Sequence, residues 1–329
     1  MLARHPLMNT AQLGDSDLHI TAIGLGTYAL GGAGWKYAWG PQDDAESVAT
    51  IRHAIASGIN WIDTAAVYGL GHAEEIVAQA IAGLPTRPLV FTKCSMVWDA
   101  SGHITNVLKR DSLRREVEDS LRRLRVDVID LLQIHWPMAQ ADIEEAWETL
   151  ARLKDEGKVR HIGVSNFDVS QMERARKLAS IASVQPPYSL LNRDIEDELL
   201  PYAVGNGIGV IAYSPLQSGL LSGKMTRERV AALPADDWRR GSSYFQEPLL
   251  SRNLAVAAEL GEIARSMSGG GRPFTTSEIA IAWVLHQRGI TGAIVGARRP
   301  DQVDAFLRAG EVRLNSEMLA RIEAATGGR

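Results

Sequence analysis

The sequence predicts an α/β protein, a closed (β/α)₈ barrel of the TIM type with an N-terminal β-hairpin and extra helices, in a single domain over residues 1–329. Two observations predict it. Eight short apolar segments, near Leu25, Ile62, Phe91, Leu132, Gly163, Ser183, Ile211 and Ile294, each lead into a helical pattern. Polar residues stand where several of these segments end, at Asp63, Lys93, His135, Ser165, Asn166, Gln185 and Tyr213. A doubly wound sheet is the alternative. It would carry a glycine fingerprint at its first turn, whereas Gly24 and Gly26 form a GxG with no third glycine opening a helix and no later ribose acid.

The elements follow in order. Leu13, Leu18, Ile20 and Ala22 around Gly14, Asp15 and Ser16 read as a β-hairpin. AIGLG is the first barrel strand, running into a glycine-rich loop. Asp43 or Asp44 caps a helix with Val48, Ile51 and Ile55 on one face. GINWIDTAAVY, from Gly58 to Tyr68, is a buried strand that ends at Asp63 and a loop that presents Tyr68. A helix from Glu74 to Ile81 precedes PLVFTKC, and Asp111 starts a helix with Leu113, Val117, Leu121 and Leu124 inward. DVIDLLQIHWP ends at His135, a helix runs from Asp142 to Gly157, and HIGVSNF, SIASVQP and IGVIAYSPL repeat the pattern. The connection from about Gln217 to Gly289 holds an irregular stretch and helices over Leu254–Met267 and Thr276–Gln287. GAIVG is the last strand, followed by a helix from Pro300 and another capped near Asn315.

Composition narrows the function classes. The net charge is −4 with no basic arm, which argues against a nucleic-acid partner. No apolar run reaches the length of a membrane span, and the opening MLARHPLMNTAQLG has no signal-peptide core. The single Cys94 cannot form an intrachain disulfide and fits a reducing compartment, so a cytoplasmic protein is expected. Its place in a strand makes it a small core residue. The histidines lack metal-ligand spacing, so no metal site is expected.

Four strand-end residues make chemical sense together. A tyrosine hydroxyl, with a pKa of about 10, protonates an oxygen poorly at neutral pH. An ammonium beside it stabilises the phenolate, a carboxylate holds that ammonium, and a histidine steers the substrate oxygen. Asp63, Tyr68, Lys93 and His135 supply this set. Singly, each has a plainer reading: a capping Asp, a core Tyr, a salt-bridging Lys, a satisfied core His.

GINWIDTAAVYG, VFTKC, LLQIHWP, HIGVSNF, AYSPLQSGLLSGK and IVGARRPDQ resemble, in order and over nearly the whole chain, the aldo-keto reductase superfamily. The resemblance implies a barrel that binds NAD(P)H without a Rossmann fold and reduces aldehydes or ketones. It implies Tyr68 as general acid, tuned by Lys93 and Asp63, with His135 orienting the carbonyl. Asn166 and Gln185, with Ser165, would hold the nicotinamide carboxamide, and Tyr213 would stack on its ring. Ser214, Pro215, Leu216, Gln217, Ser218, Gly219 and Lys224 match the pyrophosphate loop; Gly296, Arg298 and Gln302 match the adenosine end. Thr27 and Asp63 join the cofactor set. Arg298 facing a 2′-phosphate favours NADPH, with NADH the alternative. Ala305 and Phe306 depart from the Glu-Asn common in relatives, which weakens the adenine contacts.

Tyr28, Trp35, Trp39, Met96, Trp98, Trp136 and Phe167 are expected near the mouth. Trp39, Trp98 and Trp136 are assigned to the substrate, a sugar-like or bulky carbonyl. Residues 227–247 read as a mobile lid. Two other functions stay open. One is a non-catalytic, nucleotide-sensing regulatory subunit, as in potassium-channel β subunits on this barrel; the complete tetrad and the short N-terminal segment argue against it. The other is a Schiff-base aldolase on Lys93, opposed by Asp63, which would keep the lysine charged. The oligomeric state, substrate and physiological direction are not legible.

Overall fold

The computed structural model describes residues 8–234, 237–267 and 272–327. β1 (Thr10–Gln12) and β2 (His19–Thr21) pair antiparallel, ahead of the barrel. β3 (Ile23–Gly26) is followed by α1 (Asp44–Ala56), and β4 (Trp61–Asp63) by α2 (His72–Ile81). β5 (Leu89–Cys94) runs into a second hairpin, β6 (Met96–Trp98) with β7 (Ile104–Asn106), before α3 (Arg110–Leu124). Then β8 (Ile129–Ile134), α4 (Ile143–Asp155), β9 (Val159–Ser165) and α5 (Val169–Arg176) alternate. β10 (Ser183–Gln185), α6 (Leu199–Gly205) and β11 (Gly209–Ala212) continue the pattern. α7 (Arg227–Ala231), α8 (Leu249–Ser266) and α9 (Thr276–His286) fill the long connection to β12 (Ile290–Gly296). α10 (Pro300–Asp304) and α11 (Ser316–Thr326) follow.

Eight parallel strands close in the order β3-β4-β5-β8-β9-β10-β11-β12, with β12 pairing back onto β3. These are the eight segments read from the sequence. Helix starts agree to within a residue or two for most, with local causes for the differences. Asp43, not Asp44, caps α1 by accepting from Glu46 N–H at 2.8 Å. Asp142 stands at the N-cap of α4 but makes no side-chain cap bond; it accepts from Lys109 Nζ at 2.7 Å instead. No helix among the described residues is long and apolar enough to cross a membrane.

The barrel has two apolar layers. Helix faces pack on the strands' outer side, while Leu13, Leu18 and Ile20 join Trp61, Phe91, Leu131, Ile211 and Ile294 inside. The first hairpin therefore plugs the end where strands begin. Its turn fits by contact: a Cβ at Gly14 would lie 2.5 Å from Gly207 O, and φ there is +55°. The plug leaves the opposite end, where strands finish, open for side chains.

The GxG of β3 has a packing role. A Cβ on Gly24 would fall within the indole of the fully buried Trp61, whose Nε1–H donates to Thr21 O at 2.9 Å. The backbone of β3 is bare here so that the indole can fill the barrel. Gly24→Ala is therefore expected to destabilise the fold by about 1–3 kcal/mol through overpacking. Urea unfolding followed by tryptophan fluorescence checks this; an unchanged midpoint counts against it.

Candidate active site

Asp63 is the last residue of β4 and Lys93 the fifth of β5, so the barrel itself sets them side by side. Tyr68 arrives through a turn closed by Tyr68 N–H to Ala65 O, 3.1 Å. His135 follows β8 and donates its backbone N–H to Cys94 O at 3.1 Å. Lys93 Nζ donates to Asp63 Oδ1 at 2.5 Å, to Thr64 O at 2.9 Å and to the Tyr68 hydroxyl at 3.4 Å. The Tyr68 ring meets His135 edge-on, with centroids 5.6 Å apart, and Tyr28 at 5.1 Å. Four residues spread over 73 positions of sequence thus meet at one point at the barrel mouth, three of them buried.

Burial governs their protonation. It pushes the Tyr68 hydroxyl well above the usual phenol range, and the nearby Asp63 charge pushes the same way. Burial lowers the Lys93 ammonium from the ordinary lysine range, against the pull of Asp63. His135 is held well below its usual range by burial and by the Lys93 charge. At neutral pH the set is therefore a protonated phenol, a paired ammonium and a neutral imidazole. Of the three, the phenol and the imidazole face the cleft.

Above this floor lies a cleft of about 980 Å³. Its lining includes Thr27, Asp63, Tyr68, His135, Ser165, Asn166, Gln185 and Tyr213 at the deep end. Ser214, Pro215, Leu216, Ser218, Gly219 and Lys224 form one side, and Gly296, Arg298 and Gln302 the far end. Asn166 Nδ2 donates to His135 O at 2.9 Å, and the Tyr213 hydroxyl donates to Asn166 Oδ1 at 2.9 Å. Gln185 Nε2 donates to Asp63 Oδ2 at 2.9 Å. The deep cleft residues are thereby tied to the Asp63–Lys93 pair and to the backbone of His135.

Two observations fit a nucleotide cofactor. Buried polar atoms in the cleft wall, Thr27 Oγ1 and Trp39 Nε1, have no partner among the described residues. Ser214, Gln217, Ser218 and Gly219 all take positive φ, and left-handed backbone of this kind can form a concavity suited to an anion. Lys224 and Arg298 add cationic side chains around it.

Some expectations need correction. Trp98 does not line the cleft. It sits on the β6–β7 hairpin with Arg123 5.7 Å from its ring, and Arg123 is held by the buried Glu74 at 2.7 Å. Phe167 is buried in the core at 2 % exposure and lines nothing. Gln217 turns its side chain away, accepting from Ser189 Oγ at 3.0 Å. The guanidinium of Arg298 is spent on the loop opposite: it donates to Gln42 Oε1 at 2.6 Å, Trp39 O at 3.2 Å and Pro41 O. Trp39 and Trp136 do line the cleft, as do Tyr28, Trp35 and Met96.

The stretch 227–247 is not irregular: it holds α7 and two 3-10 turns, anchored by Leu233 and Phe245. Ala235 and Asp236 of that stretch lie outside the described residues. Its Trp238 and Arg239 reach the cleft, with Arg239 4.9 Å from the Trp39 ring. Sequence reasoning missed Arg239, Trp238, Tyr37, Met138 and the β6–β7 hairpin. Only the hairpin had a signal, the Asp99–Gly102 turn, where Asp99 Oδ1 accepts from Ser101 N–H and His103 N–H.

Comparison with known proteins agrees with this geometry. A model of the Aldo/keto reductase family matches residues 22–326. An aldo-keto reductase of Bacillus subtilis is 39 % identical over 312 residues, 94 % of this chain and 91 % of its own length. An NADH-specific methylglyoxal reductase of Escherichia coli is 34 % identical over 322 residues, covering 94 % of this chain and 95 % of its own. The structure of a glycerol dehydrogenase from Gluconobacter oxydans superposes with a TM-score of 0.87 at 39 % identity, over 96 % of this chain and 94 % of that one.

The buried pair yields a test that needs no substrate. Asp63→Asn strands Lys93 and is expected to cost about 3–5 kcal/mol of stability at neutral pH. Because burial lowers the Lys93 pKa, the unfolded chain binds that proton more tightly than the fold does. The variant should therefore regain stability as pH rises towards the ordinary lysine range. Denaturant midpoints across alkaline pH check the sign; a variant that weakens further would count against it.

Proposed function

This chain belongs to the aldo/keto reductase family, and we propose that it reduces an aldehyde or ketone to the alcohol with NADPH, Tyr68 giving the proton. Carbonyl–alcohol oxidoreduction with a nicotinamide cofactor follows from membership. The reductive direction, the choice of NADPH and the residue roles are our reading. The observation that carries it is the buried line Asp63–Lys93–Tyr68 beneath the cleft, with His135 edge-on to the tyrosine.

The cofactor, when bound, supplies the hydride. Ser165, Asn166 and Gln185 would hold its carboxamide and Tyr213 would pack on its ring, beside Thr27. The positive-φ loop 214–219 with Lys224 suits a pyrophosphate, and Gly296, Arg298 and Gln302 suit the adenosine end. His135, neutral, offers the substrate oxygen a hydrogen bond and cannot compete as an acid. Tyr68 then donates its proton to that oxygen as negative charge develops there. The resulting phenolate sits 3.4 Å from Lys93 Nζ, whose ammonium stabilises it while Asp63 keeps the ammonium in place. The same Asp63 makes a Schiff base on Lys93 unfavourable, since a paired ammonium is a poor nucleophile.

NADPH is favoured by the cations Lys224, Arg298 and Arg299 along the cleft. The Arg298 fork would exchange a carbonyl of the 39–42 loop for a 2′-phosphate oxygen. The single Cys94, buried and unpaired, supports a cytoplasmic location.

Tyr68→Phe should retain cofactor binding, read by tryptophan quenching, and lose about 10²–10⁴-fold in carbonyl-reduction kcat. Binding by the unaltered chain without turnover of any aldehyde or ketone would move the reading to a nucleotide-sensing subunit. Arg298→Ala should weaken NADPH binding about tenfold to a hundredfold and NADH binding much less. Equal losses for both nucleotides would remove the case for NADPH.

A further inference from the structure

Four of the seven large apolar side chains that stand exposed among the described residues border the same cleft: Tyr37, Trp136, Met138 and Trp238. Isolated exposed hydrophobics are ordinary, but a cluster around one opening marks a surface that receives apolar ligand. Trp136 and Met138 lie on the loop just after His135, at 39 % and 69 % exposure. What fixes that loop is therefore a question about specificity.

Residues 136–139 are irregular chain that bends at Ala139, and the Ala139 N–H does not bond Trp136 O directly. The side chain of Asn106, at the end of β7, stands between them. Asn106 Nδ2 donates to Trp136 O at 2.9 Å, and Asn106 Oδ1 accepts from Ala139 N–H at 3.1 Å. One amide thus bonds both ends of the 136–139 segment. Pro137 has no N–H to supply an alternative. Met138 lies between the two bonded ends and lines the cleft.

Asn106 itself has a fixed seat. Asn106 Nδ2 also lies 3.1 Å from Ser95 O and 3.2 Å from Ser95 Oγ. Ser95 takes φ +81°, a conformation a serine keeps only when its surroundings impose it. They do so here: Ser95 N–H donates to the buried carboxyl of Glu116 at 2.7 Å, and Ser95 O accepts from Val107 N–H at 2.8 Å. Glu116 is in turn bonded by Ser112 Oγ at 3.1 Å. The loop after β5, the β6–β7 hairpin and the loop after β8 therefore meet at one side-chain amide.

We propose that Asn106 is a positioning residue for specificity: it fixes the 136–139 segment so that Trp136 and Met138 grip the apolar part of a bulky, aryl-bearing carbonyl substrate. This rests on the oxidoreductase reading of the cleft. Asn106 does not itself line the cleft; it bonds Trp136 and Met96, which do. Its effect falls on the outer part of a large substrate and spares a carbonyl small enough to sit wholly on Tyr68 and His135.

The experiment compares KM and kcat for an aryl aldehyde, 4-nitrobenzaldehyde, and for methylglyoxal, in the unaltered chain and in Asn106→Ala, Asn106→Asp and Met138→Ala. In Asn106→Ala the KM for the aryl aldehyde should rise about tenfold, several times more than that for methylglyoxal, with kcat moving less than KM. Asn106→Asp keeps the acceptor for Ala139 and loses the donors, so its KM ratio should fall between. Met138→Ala, at a solvent-facing position with no folding role, should raise the aryl KM selectively as well. Parallel losses for both substrates in Asn106→Ala, or an unmoved aryl KM in Met138→Ala, would overturn the proposal while leaving the reductase reading intact. Turnover of neither aldehyde by the unaltered chain, with either nucleotide, would sink both.

Discussion

A lysine ammonium buried at the centre of a barrel must be matched, and the arrangement of the mouth follows from that requirement. Lys93 is 1 % exposed, and water is replaced by Asp63, the Thr64 carbonyl and the Tyr68 hydroxyl. Meeting it takes the end of β4, the loop beyond it and the adjacent β5. The neighbouring residues are then constrained in turn. Gln185 completes the second oxygen of Asp63, and His135 is kept neutral partly by the same positive charge. The pair is a demanding thing to bury, and the phenol beside it stays protonated.

The barrel and the deep end of the cleft were legible in the sequence because both depend on regular features. Eight apolar segments announce eight strands, and residues at or beside each strand's end meet at the mouth. Asp63, Lys93, His135, Asn166 and Gln185 could be placed together for that reason alone. What was not legible depends on contacts between irregular segments. Trp98 looks like a mouth residue by its position, yet Arg123, brought over by Glu74, gives it another place. Arg298 has a sequence context suited to phosphate, but nothing in that context reveals Gln42 or the Trp39 carbonyl, more than 250 positions away. Asn106 carries no pattern of its own; it acquires meaning only when three loops converge on it.

The two walls of the cleft are built differently. The side formed by Ser214 to Gly219 relies on left-handed backbone, so its shape is set by φ angles. The opposite side relies on long side chains crossing open space: Arg298 to the 39–42 loop, and Arg239 against the Trp39 face. A backbone cradle offers fixed donors to a bound anion, whereas side-chain links exchange partners at low cost. The wall that meets Trp39 is thus the adaptable one, and the substrate mouth shares a border with it.

The fit of Trp61 against Gly24 reaches beyond stability. An indole filling the barrel and a bare Cα opposite it form a single steric unit divided between two strands, and neither half can drift alone. A side chain at position 24 becomes admissible only after the ring at position 61 has shrunk. A smaller ring that comes first leaves a void until the glycine gives way. The two positions are therefore expected to show epistasis, their variants tolerated in one historical order and penalised in the other. Divergence of this barrel's interior would then proceed through paired replacements, even though the chemistry at its opposite end imposes no such rule.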